Sequence, residues 1–379
     1  MDPSDEIDFT DLEDLRDLYS GRPLAYRGLL SIQTPARYQG GPGSPYDADD
    51  MCGIDVLTRV VRHLYRHFPA ASTGDRYYTD TGHLQFIEEE ETRNPLLRLG
   101  WSDLKDTPAC TQAQDDVRTE IARRFLEGGG SASLSFKDLV ESKLMVSTLF
   151  ARNRSILFEN VVLSQPINAD NDEWDAQESR TTPERWWELA KASLVTWSGE
   201  GDLGDVISAK FGAFDAPGVG RRYYWQGNKD AAVVRVLYTA PRESPKRFVD
   251  LRSFTMDAKT IQLTDTSLTR AERAPAAEAR VRYALIAVVR LRQAAREHDL
   301  LRRYTDDGRH LPEKLDWDFA ADNWRLGEPG RQYYLFYTPA ADEQSKTLPE
   351  VLPEYPGARD FMRDVGNWVA AAGNRSAQQ

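Results

Sequence analysis

Cys52 and His298 are the two residues of this sequence whose side chains can cooperate in covalent catalysis. An imidazole can take the proton of a thiol, and the resulting thiolate attacks a carbonyl carbon before the imidazolium protonates the leaving amine. Their wide separation in sequence is no obstacle, because the fold brings such pairs together. The pair predicts a thiol hydrolase with Cys52 as nucleophile and His298 as general base.

Cys52 begins a segment with a strong helical pattern. Apolar side chains recur there at spacings of three and four residues: Ile54, Leu57, Val60, Val61, Leu64, Tyr65 and Phe68. The pattern predicts an amphipathic helix over 52–68, capped by Asp49 or Asp50. At the first turn of a helix, unpaired backbone N–H groups and the helix dipole favour a thiolate. The simpler interpretation is a small core residue for Cys52 and a surface residue for His298.

The elements around this pair change character along the chain. Helices are predicted over 113–126 and 183–197, and β-rich runs follow at 233–238, 281–292 and 333–337. The candidate histidine comes just after the second of these runs. Helices first and strands second predict an α+β fold, in which a site forms where the two parts meet.

Acidic stretches and a closing helix complete the predicted organisation. Residues 1–20 carry eight acids and one arginine, and three leucines recur at helical spacing: Leu12, Leu15 and Leu18. This stretch is either a docking helix for a protein partner or a frayed tail. A long acidic loop is predicted over 166–181, and a helix over 357–369.

Composition excludes several classes of protein. With 379 residues, of which 40% are hydrophobic, the chain is long enough for a large core. Its net charge of −12 disfavours nucleic acid as a partner and favours a basic protein. No apolar run approaches the roughly 18 residues of a membrane span, and the acidic start is unlike a signal or transit peptide. A cytoplasmic or nuclear protein without membrane contact is expected.

Neither a metal nor a cofactor is expected. Cys52 and Cys110 cannot form a disulfide framework, and with only five histidines they do not indicate a structural zinc site. His63 and His67 have the spacing of a metal chelate, but no glutamate follows His63 as in HExxH, and the neighbouring arginines indicate a solvated face. The sequence has no glycine-rich nucleotide motif.

Several segments resemble the motifs of ubiquitin-specific proteases. In that family the nucleophile follows a polar loop at the head of a helix, as in DDMCGIDVL at 49–57. Family members continue with a Y-x-L-x-A-V-V strand, the catalytic histidine, a W-x-x-F-D-D segment and a Y-x-L-F-Y strand. The same order here reads YALIAVV at 283–289, His298, WDFAAD at 317–322 and YYLFY at 333–337. Upstream, VRVLY at 234–238 and FVDL at 248–251 look like two palm strands.

The sequence departs from this family pattern at several positions. The histidine is flanked as Glu-His-Asp instead of Gly-His-Tyr. Two alanines replace the acids of the W-x-x-F-D-D segment, so the residue that orients the imidazole would be Asp322 or, as the alternative, Asp318. The polar oxyanion donor five residues before the nucleophile corresponds to Asp47. The paired Cys-x-x-Cys motifs of the zinc fingers have no counterpart.

The resemblance implies a papain-like cysteine protease fold of the ubiquitin-specific protease type. This is an α+β fold in which a helical thumb is followed by an antiparallel β palm, here without zinc fingers. The parts would be an acidic N-terminal segment at 1–25, a thumb-like part at 26–200, a palm-like part at 201–345, and a C-terminal helix and tail at 346–379.

The activity implied is hydrolysis of (iso)peptide bonds after ubiquitin or a ubiquitin-like modifier. Cys52 would attack, His298 would act as base and then acid, and Asp322 or Asp318 would fix the imidazole. The alternative is a catalytically inactive scaffold that binds ubiquitin or another protein. A third interpretation is an unrelated α+β interaction protein whose sheet imitates the palm strands.

Overall fold

The computed structural model describes most of the chain. The residues described are 7–40, 44–105, 107–151, 155–169, 174–176, 183–259, 270–271, 279–294, 297–311, 323–340 and 350. The predicted helix at 357–369 lies outside them. Helices dominate the first part and strands the second, which confirms the α+β class. No described helix is long and apolar enough to cross a membrane.

The first part is built around one long central helix. Its helices are α1 Leu15–Leu18, α2 Pro23–Ile32, α3 Cys52–His67, α4 Thr81–Arg93, α5 Pro95–Leu99, α6 Pro108–Glu127, α7 Phe136–Val140 and α8 Lys143–Met145, which runs on into a π-helical turn at Val146–Phe150. Later helices are α9 Pro183–Ala192, α10 Leu203–Ser208 and α11 Phe248–Leu251. A hydrophobic core cluster joins the buried faces of these helices to the strands.

Helix α3 confirms the predicted helix after Cys52, but its surroundings differ from the prediction. The polar face was expected to be solvated, whereas Arg59, Arg62 and His63 are all buried. The apolar stems of the two arginines pack in the interior, and the guanidinium of Arg62 donates to the carbonyls of Gly100 and Ser102 at 3.0 and 2.8 Å. Helix α3 is therefore covered on every side.

In the part of the chain that the structure describes, the strands form two sheets. They are β1 Phe158–Pro166, β2 Trp174–Ala176, β3 Leu194–Trp197, β4 Gly212–Ala216, β5 Arg221–Gly227, β6 Val234–Thr239, β7 Ser253–Ala258, β8 Arg270–Ala271, β9 Ala279–Arg290, β10 Leu300–Tyr304, β11 His310–Leu311 and β12 Gln332–Pro339. The smaller sheet has the order β4-β5-β1-β2-β8, and the larger has the order β11-β10-β9-β12-β6-β3, with β7 also paired to β9.

Strand β9 organises the larger sheet. Strand β12 pairs antiparallel along one side of it, and β7 and β10 share the other side, one after the other. Between them, the Leu285 N–H bonds to the Arg252 carbonyl at 2.8 Å. At the far edge, β3 runs parallel to β6. A strand from the first 200 residues thus completes a sheet whose other strands come from the rest of the chain. The boundaries of the four parts proposed from the sequence stay predictions.

Several predicted elements differ from the structure. The helix predicted over 183–197 ends at Ala192, and Leu194–Trp197 is a strand. The segment 248–251, which looked like a palm strand, is helix α11. The acidic loop predicted over 166–181 contains strand β2 at its centre.

Two helix starts were also misplaced. The residue that caps α3 is Met51, without a side-chain hydrogen bond, instead of Asp49 or Asp50. The helix predicted from residue 113 already begins at Pro108, because the Thr107 side chain caps it.

The acidic N-terminal stretch is anchored from residue 12 onward. Leu12 and Leu15 are buried, and Arg16 binds Asp14 at 2.7 Å and Glu91 at 2.8 Å in the interior. The same guanidinium lies 5.0 Å from the centre of the Trp101 ring. Because these charges are buried and mutually paired, the segment is a fixed part of the helical layer.

Candidate functional site

The Cys52 side chain points from the first turn of α3 towards the start of β10. Its thiol faces the Asp299 carbonyl oxygen, with 3.9 Å between Sγ and O, and the residue is only 6% exposed. The fold thus brings the N-terminus of the central helix against the segment that leads into β10. The thiol is enclosed at that junction.

Asp299 is the residue at this junction that the sequence analysis did not single out. It is buried, and its carboxylate accepts two backbone hydrogen bonds of 2.9 Å, one from the Phe136 N–H and one from the Arg292 N–H. Asp299 thereby ties the segment before β10 to the start of α7 and to the end of β9. The only sequence signal was an acid directly after the candidate histidine.

Electrostatics at the junction disfavour the thiolate. Burial raises the pKa of the Cys52 thiol, and the negative charges of Asp299 and Asp55 raise it further. Burial also raises the pKa of Asp299, although the hydrogen bonds from Arg292 and Phe136 oppose that shift. These effects outweigh the benefit that the start of a helix gives to a thiolate.

Backbone from residues 134–136 covers the first turn of α3. A Cβ atom placed on Gly53 would lie 2.0 Å from the Leu134 carbonyl oxygen and 2.8 Å from the Phe136 nitrogen. Only a glycine permits so close an approach. The loop at 134–136 and the first turn of α3 are therefore in direct backbone contact at Gly53.

The structure describes only one of the other predicted catalytic residues, His298. It is half-buried and directly precedes Asp299. The catalytic pairing of Cys52 with His298 stays a prediction. Asp318 and Asp322 lie outside the described residues.

Asp47, at the position of the oxyanion donor, forms part of a local turn. Its side chain is exposed, and its carboxylate accepts a 2.8 Å hydrogen bond from the Asp50 N–H. A carboxylate offers no hydrogen to a developing oxyanion, and this one stabilises the turn that leads into α3.

Histidines His63 and His67 lie on the buried face of α3 that packs towards β10. The His63 Nε2 atom lies 3.0 Å from the Tyr304 carbonyl oxygen, and the rings of His63 and His67 meet edge to face, with centres 5.1 Å apart. Among the described residues, no three Cys, His, Asp or Glu side chains converge as metal ligands. Burial lowers the pKa of His67 to about 3 and that of His310, on β11, to about 4.

We expect the buried histidines to make the stability of the protein sensitive to acid, and His310 is the clearest case. Its pKa is lowered first by burial and then by Arg302 and Arg303, so the folded state keeps the ring neutral while the unfolded chain takes up a proton near pH 6.5. The stabilising contribution is complete above pH 6.5 and is lost as the pH falls towards 4. Replacing His310 by glutamine should reduce the loss of unfolding free energy between pH 7 and 5 by about 2 kcal/mol.

Urea denaturation at a series of pH values measures this change. The control is His83→Gln, on the half-exposed face of α4. An unchanged pH profile in His310→Gln would contradict the expectation.

Comparisons with known proteins give only a distant likeness. No protein-family model and no curated protein matches the sequence. A similar solved structure is the apo Pan2 pseudoubiquitin hydrolase-RNA exonuclease (UCH-Exo) module of Saccharomyces cerevisiae in complex with AAGGA RNA, with 8% identity and a TM-score of 0.30 over 86% of this chain and 62% of that chain.

The same module in complex with AACCAA RNA gives 9% identity and a TM-score of 0.25, over 94% of this chain and 60% of that chain. The chain therefore spans less than two thirds of the length of the modules it matches. So distant a likeness carries no argument about this chain, and its own residues must indicate the function.

Proposed function

We propose that this chain is a protein-binding scaffold with an architecture like that of a ubiquitin hydrolase, and that Cys52 does not act as a nucleophile. One observation carries the proposal: the Cys52 thiol is buried, and its sulfur faces the Asp299 carbonyl oxygen at a distance of 3.9 Å. Even an unperturbed thiol is only about 3% ionised at pH 7, and the raised pKa of Cys52 lowers that fraction further.

The departures of the sequence from the protease motifs support the same proposal. The aspartate that replaces the tyrosine after the histidine is Asp299, and its carboxylate adds negative charge beside the thiol. The position of the oxyanion donor holds Asp47, which binds its own turn. Each departure removes a feature that a thiol protease needs: an ionised thiol and a hydrogen-bond donor for the oxyanion.

The smaller sheet offers a surface for a protein partner. Phe214 on β4 pairs in register with Tyr223 on β5, and Trp225 follows two residues later on the same face. Phe214 is 41% exposed, whereas Tyr223 and Trp225 are half-buried, pack partly against the hydrophobic core and support the exposed ring of Phe214 from the neighbouring strand. Tyrosine, tryptophan and arginine dominate the binding energy of protein interfaces, and Arg221 begins the same strand.

Ubiquitin or a ubiquitin-like protein is the partner that the sequence resemblance indicates. The net charge of −12 favours a partner with a basic surface. We therefore assign the aromatic face of β4 and β5 as the contact surface for such a modifier.

The peptidase alternative rests on a different observation. The thiol lies against Asp299, which directly follows His298, so a short shift of residues 297–299 would change what faces the sulfur. Catalytic contacts often tighten only when substrate is bound. The two functions make opposite predictions for a reagent that traps an active thiol.

Incubation with ubiquitin that carries a C-terminal electrophile tests the catalytic part. We expect intact mass spectrometry to show no adduct at Cys52 over hours at pH 7.5. An adduct that disappears in Cys52→Ser and persists in Cys110→Ser would establish the peptidase and overturn the scaffold. The Cys110 control is well matched, because that cysteine is also buried.

Titration with unmodified ubiquitin and ubiquitin-like proteins tests the binding part. We expect Phe214→Ala to weaken binding at least tenfold, since truncating an aromatic hot-spot residue typically costs about 2 kcal/mol or more. Phe86→Ala is the matched control, because Phe86 on α4 is also 41% exposed. Binding that is undetectable for every modifier, or equally weakened by both variants, would reject this surface.

A further inference from the structure

A groove lies between the N-terminal segment and helix α6. Its volume is about 430 Å³. The residues that line it are Ile7, Asp8, Asp11, Ala109, Gln112, Ala113, Asp116, Val117, Glu120 and Arg123. It shares no lining residue with the smaller sheet or with the surroundings of Cys52, so it is a surface separate from the proposed modifier site.

The floor of the groove is apolar and fixed in place. Ala109, Ala113 and Val117 recur every four residues along one face of α6, and Ile7 lines the groove with them. Five residues after Ile7, the chain is anchored by the buried Leu12. The small alanine side chains leave the space that an incoming side chain can fill.

The rim of the groove is acidic. Four acids line it, Asp8, Asp11, Asp116 and Glu120, against the single base Arg123, which gives a local balance of 1 − 4 = −3. Hydrogen bonds from Thr10 lower the pKa of Asp8, and hydrogen bonds from Arg123 and Arg124 lower that of Glu120, so both carboxylates are ionised at neutral pH. Arg123 is itself already bound to Glu120 and Glu127.

We propose that this groove binds a basic peptide segment of a partner protein, with one or two apolar side chains on the floor and flanking Lys or Arg side chains at the rim. Charge complementarity selects this occupant, because the acidic rim repels nucleic acid and anionic surfaces. A metal ion is a poor alternative, since the described residues contain no convergent set of three ligands.

The dimensions of the groove set the length of the segment. Its α6 wall runs from Ala109 to Arg123, which is about 21 Å at the rise of an α-helix. An extended peptide covers this distance with about six residues. Three of the rim acids, Asp8, Asp11 and Asp116, are exposed, so binding should weaken as salt shortens the screening length.

Fluorescence anisotropy with a labelled peptide, two leucines flanked on each side by lysines, tests the proposal on the full chain. We expect saturable binding at 50 mM NaCl that weakens at least fivefold at 300 mM, and no binding of the same peptide with glutamates in place of lysines. Asp116→Lys should weaken binding about tenfold, because it reverses a rim charge.

Glu89→Lys is the matched control for the rim. Asp116 and Glu89 both lie on exposed helix faces, and each accepts a hydrogen bond from a glutamine four residues earlier, at 2.9 and 3.0 Å. Glu89→Lys makes the same change in net charge outside the groove and should alter binding less than twofold. Equal losses in the two variants would show general charge attraction and overturn the proposal.

Filling the floor tests the groove without changing charge. Ala113→Phe places a ring where the apolar side chain of the peptide would sit, and binding should fall at least tenfold while the melting temperature stays near that of the unchanged protein. A lysine peptide that does not bind, or that binds Ala113→Phe as well as the parent chain, would also overturn the proposal.

Discussion

Replacing Gly53 by alanine is expected to prevent stable folding, or to lower the free energy of unfolding by at least about 3 kcal/mol. The new Cβ atom would lie 2.0 Å from the Leu134 carbonyl oxygen and 2.8 Å from the Phe136 nitrogen. Both contacts are with backbone, which cannot rotate away as a side chain would. The loop at 134–136 would have to leave the first turn of α3, and the hydrogen bond from Phe136 to Asp299 would be lost with it.

Gly82→Ala is the control for this substitution. Gly82 also lies in the first turn of a helix, α4, but a Cβ atom there would meet only the Asp80 side chain, at an ordinary 3.6 Å. Alanine should therefore stabilise the protein by about 0.5–1 kcal/mol, the usual gain over glycine in a helix. Urea denaturation measures both variants. Similar stabilities for the two would refute the close approach at Gly53.

Replacing Arg118 by methionine is expected to cost about 3–5 kcal/mol at pH 7. Its guanidinium is fully buried and binds Asp55 and Asp115, each at 2.5 Å. It also donates to the Ala36 carbonyl at 2.7 Å. Methionine keeps most of the side-chain volume but leaves two carboxylates in the interior without their counter-charge. This interaction joins α3 to α6, and Asp55 lies in the same first turn as Cys52.

The pH dependence of the Arg118→Met deficit distinguishes lost charge from lost packing. Burial already raises the pKa values of Asp55 and Asp115, and Arg118 opposes that shift. Without the arginine, both folded-state pKa values rise further above their unfolded values. A carboxyl group of this kind becomes less destabilising as the pH falls towards the unfolded value near 4. The deficit should therefore shrink between pH 7 and 5.

Arg123→Met is the matched control on the same helix. Arg123 forms two ion pairs of 2.6 Å with Glu120 and Glu127, but these pairs are partly exposed. Solvent screens them, so stability should change little at any pH. A loss as large as that of Arg118→Met, or a deficit independent of pH in Arg118→Met, would contradict this account.

Local patterns were sufficient to predict the elements that dominate the fold. The apolar repeat after Cys52 predicted α3, since only one face of a helix gathers residues spaced by three and four. The β-rich runs at 281–292 and 333–337 correspond to β9 and β12, which pair with each other at the centre of the larger sheet. In both cases the same residues that carry the signal also form the buried core.

Elements that depend on distant partners could not be predicted in this way. Leu194–Trp197 continues the apolar pattern of α9, but its backbone pairs with β6, forty residues further along, and that pairing decides its conformation. The opposite occurred at Phe248–Leu251, where the resemblance to ubiquitin-specific proteases suggested a palm strand and the structure has a helix. There the Asp250 carboxylate accepts a 2.9 Å hydrogen bond from the Arg247 N–H and stabilises a short helix.

The candidate site shows the same limit. The helix start predicted a thiolate at Cys52, because unpaired N–H groups and the dipole are local properties. What raises its pKa instead is burial and then the negative charge of Asp299. Asp299 lies 247 residues further along the chain, so no local pattern around Cys52 could predict this contact.

The contact between Cys52 and Asp299 spans 247 residues of chain, and this has a consequence during synthesis. A ribosome adds about 5–20 residues per second, so the start of α3 leaves the exit tunnel roughly 12–50 s before the start of β10 does. During that interval the nascent chain holds Arg59, His63 and the thiol of Cys52 without their final cover. The helices of the first part therefore cannot complete their packing until the later strands have been synthesised.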